Sequence, residues 1–343
     1  MGLPPRSIHL RRRWPSGSRN LISDVPGVTV GHVTHREGSI QTGVTAVLPH
    51  PGNLFRDKVM AGCCVINGFG KSIGLLQLQE LGSIETPILL TNTMSVGTAY
   101  TALCRYMMEA DPDIGVTTGT VNCLVTECND GRLNDIRGMH VTEEDIPAAI
   151  RAASADFAEG AVGGGTGMTC LGLKGGIGSA SRVLSADGSS YTIGALVMSN
   201  FGAAGNLVMD GRHYDTSAGA SSRDKGSIII LIATDLPLSE RQLERVARRS
   251  AVALGRTGSY LGNGSGDIAI AFTTANRIPH ESSGGILTFG RLHEDLLDQV
   301  FEATAETVEE AILSSLWHAD TVTGVRGTTV TGLRDFLAGL GES

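Results

Sequence analysis

The sequence predicts a mixed fold, α/β or α+β, in which strands and helices share one compact body. Three observations carry that reading. Short β-branched or alternating apolar runs interleave with stretches of helical period along the whole chain. Glycine, 46 of 343 residues, clusters between those runs as tight turns require, and never falls into a collagen-like repeat. No polar linker divides the chain, so residues 1–343 read as a single domain.

The elements follow in order. After a Pro/Ser-rich leader, residues 25–33 (VPGVTVGHV) alternate like a strand with a Pro-Gly turn inside it, and residues 42–48 (TGVTAVL) form another. A strand over 60–65 leads through INGFGKSIG into a helical pattern at Leu75, Leu76, Leu78 and Leu81. Residues 87–90 are a short strand, followed by TNTMSVGTA and a helix over 99–109. The strand at 122–127 ends in ECNDGRLND. Thr142 opens a helix with an acidic first turn that runs to Phe157.

A glycine-dense stretch (GAVGGGTGMTCLGLKGGIGSASR) precedes a strand over 192–198 that ends on Ser199-Asn200. Residues 228–232 are almost purely β-branched and read as a strand buried on both faces. Ser239 and Gln242 make a capping box for a helix whose apolar face is Leu243, Val246, Ala247, Ala251 and Leu254. A strand over 268–273 and a long helix over 294–317 complete the set.

Composition excludes several function classes. A formal net charge of −8 leaves no basic stripe to neutralise phosphates, which argues against a nucleic-acid partner. Arg11-Arg12-Arg13 is the one basic cluster and reads as a solvated tail. No apolar run approaches the ~20 residues of a membrane span, and the N-terminus lacks an apolar signal region, so the expectation is a cytoplasmic protein with no membrane partner. The six cysteines form no CxxC pair and read as buried free thiols. The histidines show no metal-binding spacing, and neither a metal nor another cofactor is expected.

Several motifs tempt and fail. Gly70-Lys71-Ser72 has Val65 where a phosphate loop needs its first glycine. The GGGTG at 163–167 follows a helix and does not match GxGxxG. No GxSxG elbow occurs, and Asp130 and Asp135 lack the spacing of a calcium loop. What remains is a set of polar residues at strand ends. Ser227, with Gly226 before it, opens the most apolar strand of the chain, and Asn263-Gly264-Ser265-Gly266-Asp267 precedes another. Glu127 and Asn200 each close a strand. Taken singly these are ordinary turn residues, a solvated carboxylate and a strand-end amide.

Taken together, in order, they are familiar. The stretches ISDVPGVTVGHVTH, TGVTAVLPH, INGFGKSIGLLQLQELGSIETPILLTNTMSVGTA, ECNDGRLNDIRG, GAVGGGTGMTCLGLKGGIGSASR, KGSIIILIATDLPL, RTGSYLGNGSGDIAIAF and HADTVTG span residues 20–330. The chain resembles the DmpA-like peptidases, the family of L-aminopeptidase D-amidase/esterases and β-peptidyl aminopeptidases. The resemblance implies a four-layer α/β/β/α sandwich like that of N-terminal nucleophile hydrolases, with different topology. It implies a precursor that cleaves itself between Gly226 and Ser227, giving chains 1–226 and 227–343. Ser227 then becomes an N-terminal nucleophile, activated by its own α-amine.

By the same resemblance, Ser265 and Asp267 orient and polarise the nucleophile, and Asn200 binds the oxyanion. Glu127 holds the substrate ammonium, and Asn129 lines the substrate pocket where a family member has Tyr. The implied substrates are small peptides or amino-acid amides, and the implied assembly is a homo-oligomer, a tetramer of αβ units. Two rivals remain: an acyltransferase like the ornithine acetyltransferases, against which Ser227 speaks because those use threonine, and an unprocessed binding protein, against which the intact residue set speaks.

Overall fold

The computed structural model describes residues 12–217, 226–281 and 284–341. Two sheets meet face to face. The first has four strands in the order β1 (Thr29–Glu37), β2 (Ile40–Leu48), β5 (Ile88–Asn92), β6 (Leu124–Cys128). The second uses β3 (Asp57–Gly68), β4 (Ser83–Ile84), β7 (Gly176–Ala186), β8 (Ser189–Asn200), β9 (Ser227–Thr234) and β10 (Gly266–Pro279). Its spatial order is β4-β3-β10-β9-β8-β7, with β9 and β10 parallel and the remaining neighbours antiparallel.

Helices cover both outer faces. Helices α2 (Val96–Ala110) and α3 (Asp145–Arg151) pack on the four-stranded sheet, and the short α1 (Leu75–Leu81) lies against β3 and β4. On the six-stranded sheet lie α4 (Glu240–Arg248) and α6 (Leu297–Trp317), with α5 (Ser250–Arg256) packed against both helices and α7 (Leu333–Gly339) beside α6. The result is the expected α+β body in four layers, α/β/β/α.

The burial pattern explains the layering. Between the sheets, Val30, Val47, Ile88, Leu90 and Leu124 meet Ile229, Leu231, Ile270 and Phe272. The alternate residues of β9, Ile228, Ile230 and Ile232, face the helical layer with Leu243, Val246 and Val308. A strand with apolar neighbours on both faces has no reason to alternate, so its sequence is a continuous aliphatic run. No helix among the described residues is long and apolar enough to cross a membrane.

Four expectations need correction. The helix expected to run to Phe157 ends at Arg151, because the chain turns there and Ser154 exchanges main-chain hydrogen bonds with Val30 of β1. An unexpected 11-residue strand, β7, begins within the glycine-dense stretch and runs past its end. Gly178 is small there because a Cβ would lie 2.0 Å from the carbonyl oxygen of Ala311 in α6. The single helix expected after Ser239 divides into α4 and α5, although its capping box is present as read.

The fourth correction concerns the basic cluster. Arg12 pairs with Glu310 at 2.5 Å and Arg13 with Glu302 at 2.7 Å, while the main chain of Arg13 donates to Glu306. The leader from Arg12 therefore lies across α6 as a strap rather than trailing in solvent; Arg11 lies outside the described residues.

Candidate active site

Five chain segments converge where the central strands of the larger sheet begin and end. β9 starts at Ser227 and β10 at Gly266, while β8 stops at Asn200 and β3 at Gly68. The ladder places Asn200 opposite Ser227, Ser227 opposite Gly266, and Gly266 opposite Gly68. From the facing sheet, β6 brings Glu127 and Cys128, and the Cys128 thiol donates to the Met198 carbonyl of β8 at 3.6 Å. The Lys225 side of the sequence before Gly226 lies outside the described residues.

Ser227 is buried, and its hydroxyl lies 2.7 Å from the carbonyl oxygen of Gly226, the residue before it. The same oxygen accepts the Gly266 N–H at 3.3 Å. Gly266 has to lack a side chain, since a Cβ would lie 2.4 Å from the Phe69 carbonyl oxygen and 3.1 Å from Ser227 Oγ. Gly226 is bound as tightly, because a Cβ there would lie 1.8 Å from the Asn200 carbonyl oxygen. These two glycines let three backbones close around one hydroxyl.

Ser265 and Asp267 flank Gly266, and Ser265 Oγ donates to Asp267 Oδ1 at 2.6 Å with both residues fully buried. Both were expected in the turn before the strand; Asp267 is instead the second residue of β10, which starts two positions earlier than expected. Asn200 is held at both ends of its amide. Oδ1 accepts the Thr169 N–H at 2.9 Å, and Nδ2 donates to the main-chain carbonyl of Asn129 at 3.0 Å. An amide nitrogen carries two N–H groups, so the second is left for a ligand.

Glu127 is buried at the end of β6. Its Oε1 accepts the Lys71 N–H at 2.8 Å, and its Oε2 accepts the Thr93 hydroxyl. A carboxylate has about four lone-pair sites, so these two donors orient it and leave acceptor capacity for a cation. The segment after β3 bridges the two halves, since Phe69 N–H donates to Ser265 O at 3.3 Å while Lys71, two residues on, reaches Glu127. Asn129 is exposed, with its side chain turned back onto Gly131 N–H at 3.0 Å.

All of the expected site residues therefore lie in one neighbourhood. Sequence reasoning missed Thr93, Lys71, Thr169 and Gly266, whose contributions are one hydroxyl and three main-chain N–H groups. No residue type announces a main-chain donor. His213 sits in a short strand, Arg212–Tyr214, that pairs with Leu207–Met209.

The chain is similar to known proteins over most of its length. The chain is 40% identical over 346 residues to the β-peptidyl aminopeptidase BapA of Sphingosinicella microcystinivorans, covering 92% of this chain and 86% of that one. The crystal structure of the PH0078 protein from Pyrococcus horikoshii superimposes with a TM-score of 0.93 at 48% identity, covering 99% of this chain and 100% of that one. The L-aminopeptidase D-Ala-esterase/amidase of Ochrobactrum anthropi, a prototype for the serine aminopeptidases with a variant of the Ntn hydrolase fold, gives 0.89 at 36% identity, covering 98% of both chains. The model of peptidase family S58 matches residues 20–330, and the chain belongs to that family.

Proposed function

We propose that this peptidase is a self-processing serine aminopeptidase that removes the N-terminal residue from small peptides, amides or esters, with Ser227 as nucleophile. The single observation that carries the reading is the approach of Ser227 Oγ to the Gly226 carbonyl, with the Gly266 N–H on the same oxygen. Attack by Oγ on the Gly226 carbonyl carbon would put negative charge on that oxygen, where Gly266 already donates. Collapse would break the Gly226–Ser227 amide, with the proton lost from Oγ passing to the leaving nitrogen, so that the acyl group moves to Oγ and the α-amine is freed. Water would then hydrolyse the ester, leaving a carboxylate on Gly226 and a free hydroxyl on Ser227.

The freed residue carries both nucleophile and base. An α-amine has a reference pKa of ~7.7–8.0, so its neutral form is available to take the hydroxyl proton as Oγ attacks a substrate carbonyl. Ser265 and Asp267 would orient that hydroxyl and amine, and the second N–H of Asn200 Nδ2 would receive the oxyanion. Glu127 would hold the substrate ammonium, which limits the reaction to the N-terminal residue. Asn129, exposed beside Asn200, would border the pocket. No metal or organic cofactor enters these steps.

The resemblance further proposes a homo-oligomer of processed units; the reading of the sequence itself adds a cytoplasmic location and, before cleavage, a single domain. The enzyme reading is tested by trapping the acyl intermediate. A slow aminoacyl ester should add one acyl mass to the 227–343 chain, at Ser227. An adduct elsewhere, or none during turnover, contradicts the assignment.

A further inference from the structure

Lys174 is a fully buried cation that the proposed chemistry does not use. It sits in the glycine-dense stretch, in a two-strand ladder that pairs Thr169 with Lys174 and Cys170 with Leu173. Its ammonium donates to three main-chain carbonyls, Gly175 at 2.7 Å, Met168 at 2.8 Å and Gly165 at 3.1 Å. An ammonium has three N–H donors, so the site is matched to the charged form. A neutral amine would turn a lone pair toward one of the carbonyls.

The Met168 carbonyl is the informative one. It belongs to the same planar peptide unit as the Thr169 N–H. At one end of that unit the oxygen takes Lys174 Nζ and the Gly175 N–H, the latter at 3.0 Å. At the other end the N–H donates to Asn200 Oδ1 at 2.9 Å. Fixing the oxygen fixes the plane, and the plane decides which end of the Asn200 amide faces the loop. With Oδ1 so engaged, Nδ2 is the atom left to face Asn129 and the site. A cation on the carbonyl also polarises the peptide and strengthens its N–H as a donor.

We infer that Lys174 is a positioning residue for the oxyanion donor: through one peptide unit it sets the orientation of the Asn200 amide. The inference rests on the proposed role of Asn200. Three further groups bear on the charge, and Cys170 is the weakest of them, favouring the ammonium. Asp130, buried beside Asn129, favours the ammonium, whereas Arg36 opposes it. Burial draws the Lys174 ammonium down to about 7, and the three carbonyl acceptors oppose that loss. The alternative is that Lys174 merely satisfies carbonyls in a crowded glycine loop.

The test is a double-mutant cycle between Lys174→Met and Asn200→Ala. The readouts are the rate at which the precursor divides, then kcat and KM of the processed enzyme on an aminoacyl anilide. Asn200→Ala should lower kcat by roughly 10²–10³-fold as the loss of an oxyanion donor. Lys174→Met should lower kcat by about 10-fold or more with KM little changed, because the amide's orientation matters most when charge develops on the oxygen. The double variant should be no worse than Asn200→Ala alone, and the self-cleavage rates should follow the same pattern for any variant that processes too slowly to assay.

Multiplied losses, or a rise in KM in place of the fall in kcat, would overturn the role of Lys174 while leaving Asn200 in place. An active Asn200→Ala would instead remove the oxyanion reading itself. Lys174→Gln keeps two N–H donors and guards against a failed fold. If both Lys174 variants fail to fold, the residue holds the loop and not the amide, and the inference is wrong.

Discussion

At the scale of single residues, Glu127 makes the sharpest claim. It is buried, oriented by Lys71 N–H and Thr93, and placed across from the strand that begins at Ser227. If it receives a substrate ammonium away from water, Glu127→Gln should reduce kcat/KM on free-amine substrates by about 2–5 kcal/mol of transition-state binding. N-acetylated substrates should be poor for the unaltered enzyme and little affected by the change. Equal rates on blocked and free amines would remove Glu127 from the site. The base is the second residue-scale claim. With an α-amine of reference pKa ~7.7–8.0 as proton acceptor, kcat/KM should rise between about pH 6 and 9. That limb should persist when His213 is replaced. A histidine change that abolishes hydrolysis but spares self-cleavage would put a serine–histidine pair in place of the amine.

Among the elements, packing and protonation each make a prediction. Gly178 of β7 has the α6 backbone where its Cβ would be, 2.0 Å from Ala311 O and 2.4 Å from Ser315 N. Gly178→Ala should destabilise by about 1–3 kcal/mol or more, as overpacking against backbone does, seen as a lower urea midpoint. Gly97, exposed in α2 with open space around it, is the control. Gly97→Ala should stabilise by about 0.4–1 kcal/mol. His32 of β1 accepts from the Thr45 hydroxyl at Nδ1, 2.9 Å away, and donates from Nε2 to Ala158 O at 3.1 Å. Burial lowers its pKa to about 4. The unfolded chain therefore binds this proton first, and His32 removes stability as pH falls from about 6.5 to 4. His32→Gln should flatten that part of the melting-temperature profile. An unchanged slope would show that His32 does not set it.

These elements also show what the sequence made legible and what it hid. β9 could be read because a strand apolar on both faces needs no partner to announce itself. β7 could not, since Gly176 is small to admit the Gly160 backbone, Gly178 to admit α6, and Ser179 and Ser181 to take main-chain N–H groups of the leader, and smallness alone reads as loop. The acidic start and alanines after Thr142 favour a long helix locally, yet a tertiary pairing of Ser154 with Val30 stops it. Ser227, Ser265, Asp267 and Glu127 were singled out through a resemblance spread over eight stretches, and Asn200 by the same resemblance between two of them, not through any one spacing. Lys174 stood unnoticed among glycines because its partners are carbonyls.

For the whole molecule, the position of the proposed cut matters more than its chemistry. Division after Gly226 would assign β9 and β10 to the smaller chain, yet both lie between β3 and β8, which would belong to the larger one. Ile228 to Ile232 are five buried aliphatic side chains, each worth about 1.5–3 kcal/mol against exposure. The two chains should therefore co-elute under native conditions and part only in denaturant. The central claim is that Ser227 breaks the bond before it, and intact mass under denaturing conditions tests it most directly. The unaltered protein should give chains of 226 and 117 residues, roughly 24 and 12 kDa in proportion to 35.8 kDa, the smaller beginning at Ser227. Ser227→Ala should remain one chain of 343 residues. A Ser227→Ala protein that still divides at Gly226, or an unaltered and active protein that stays whole, would contradict the account.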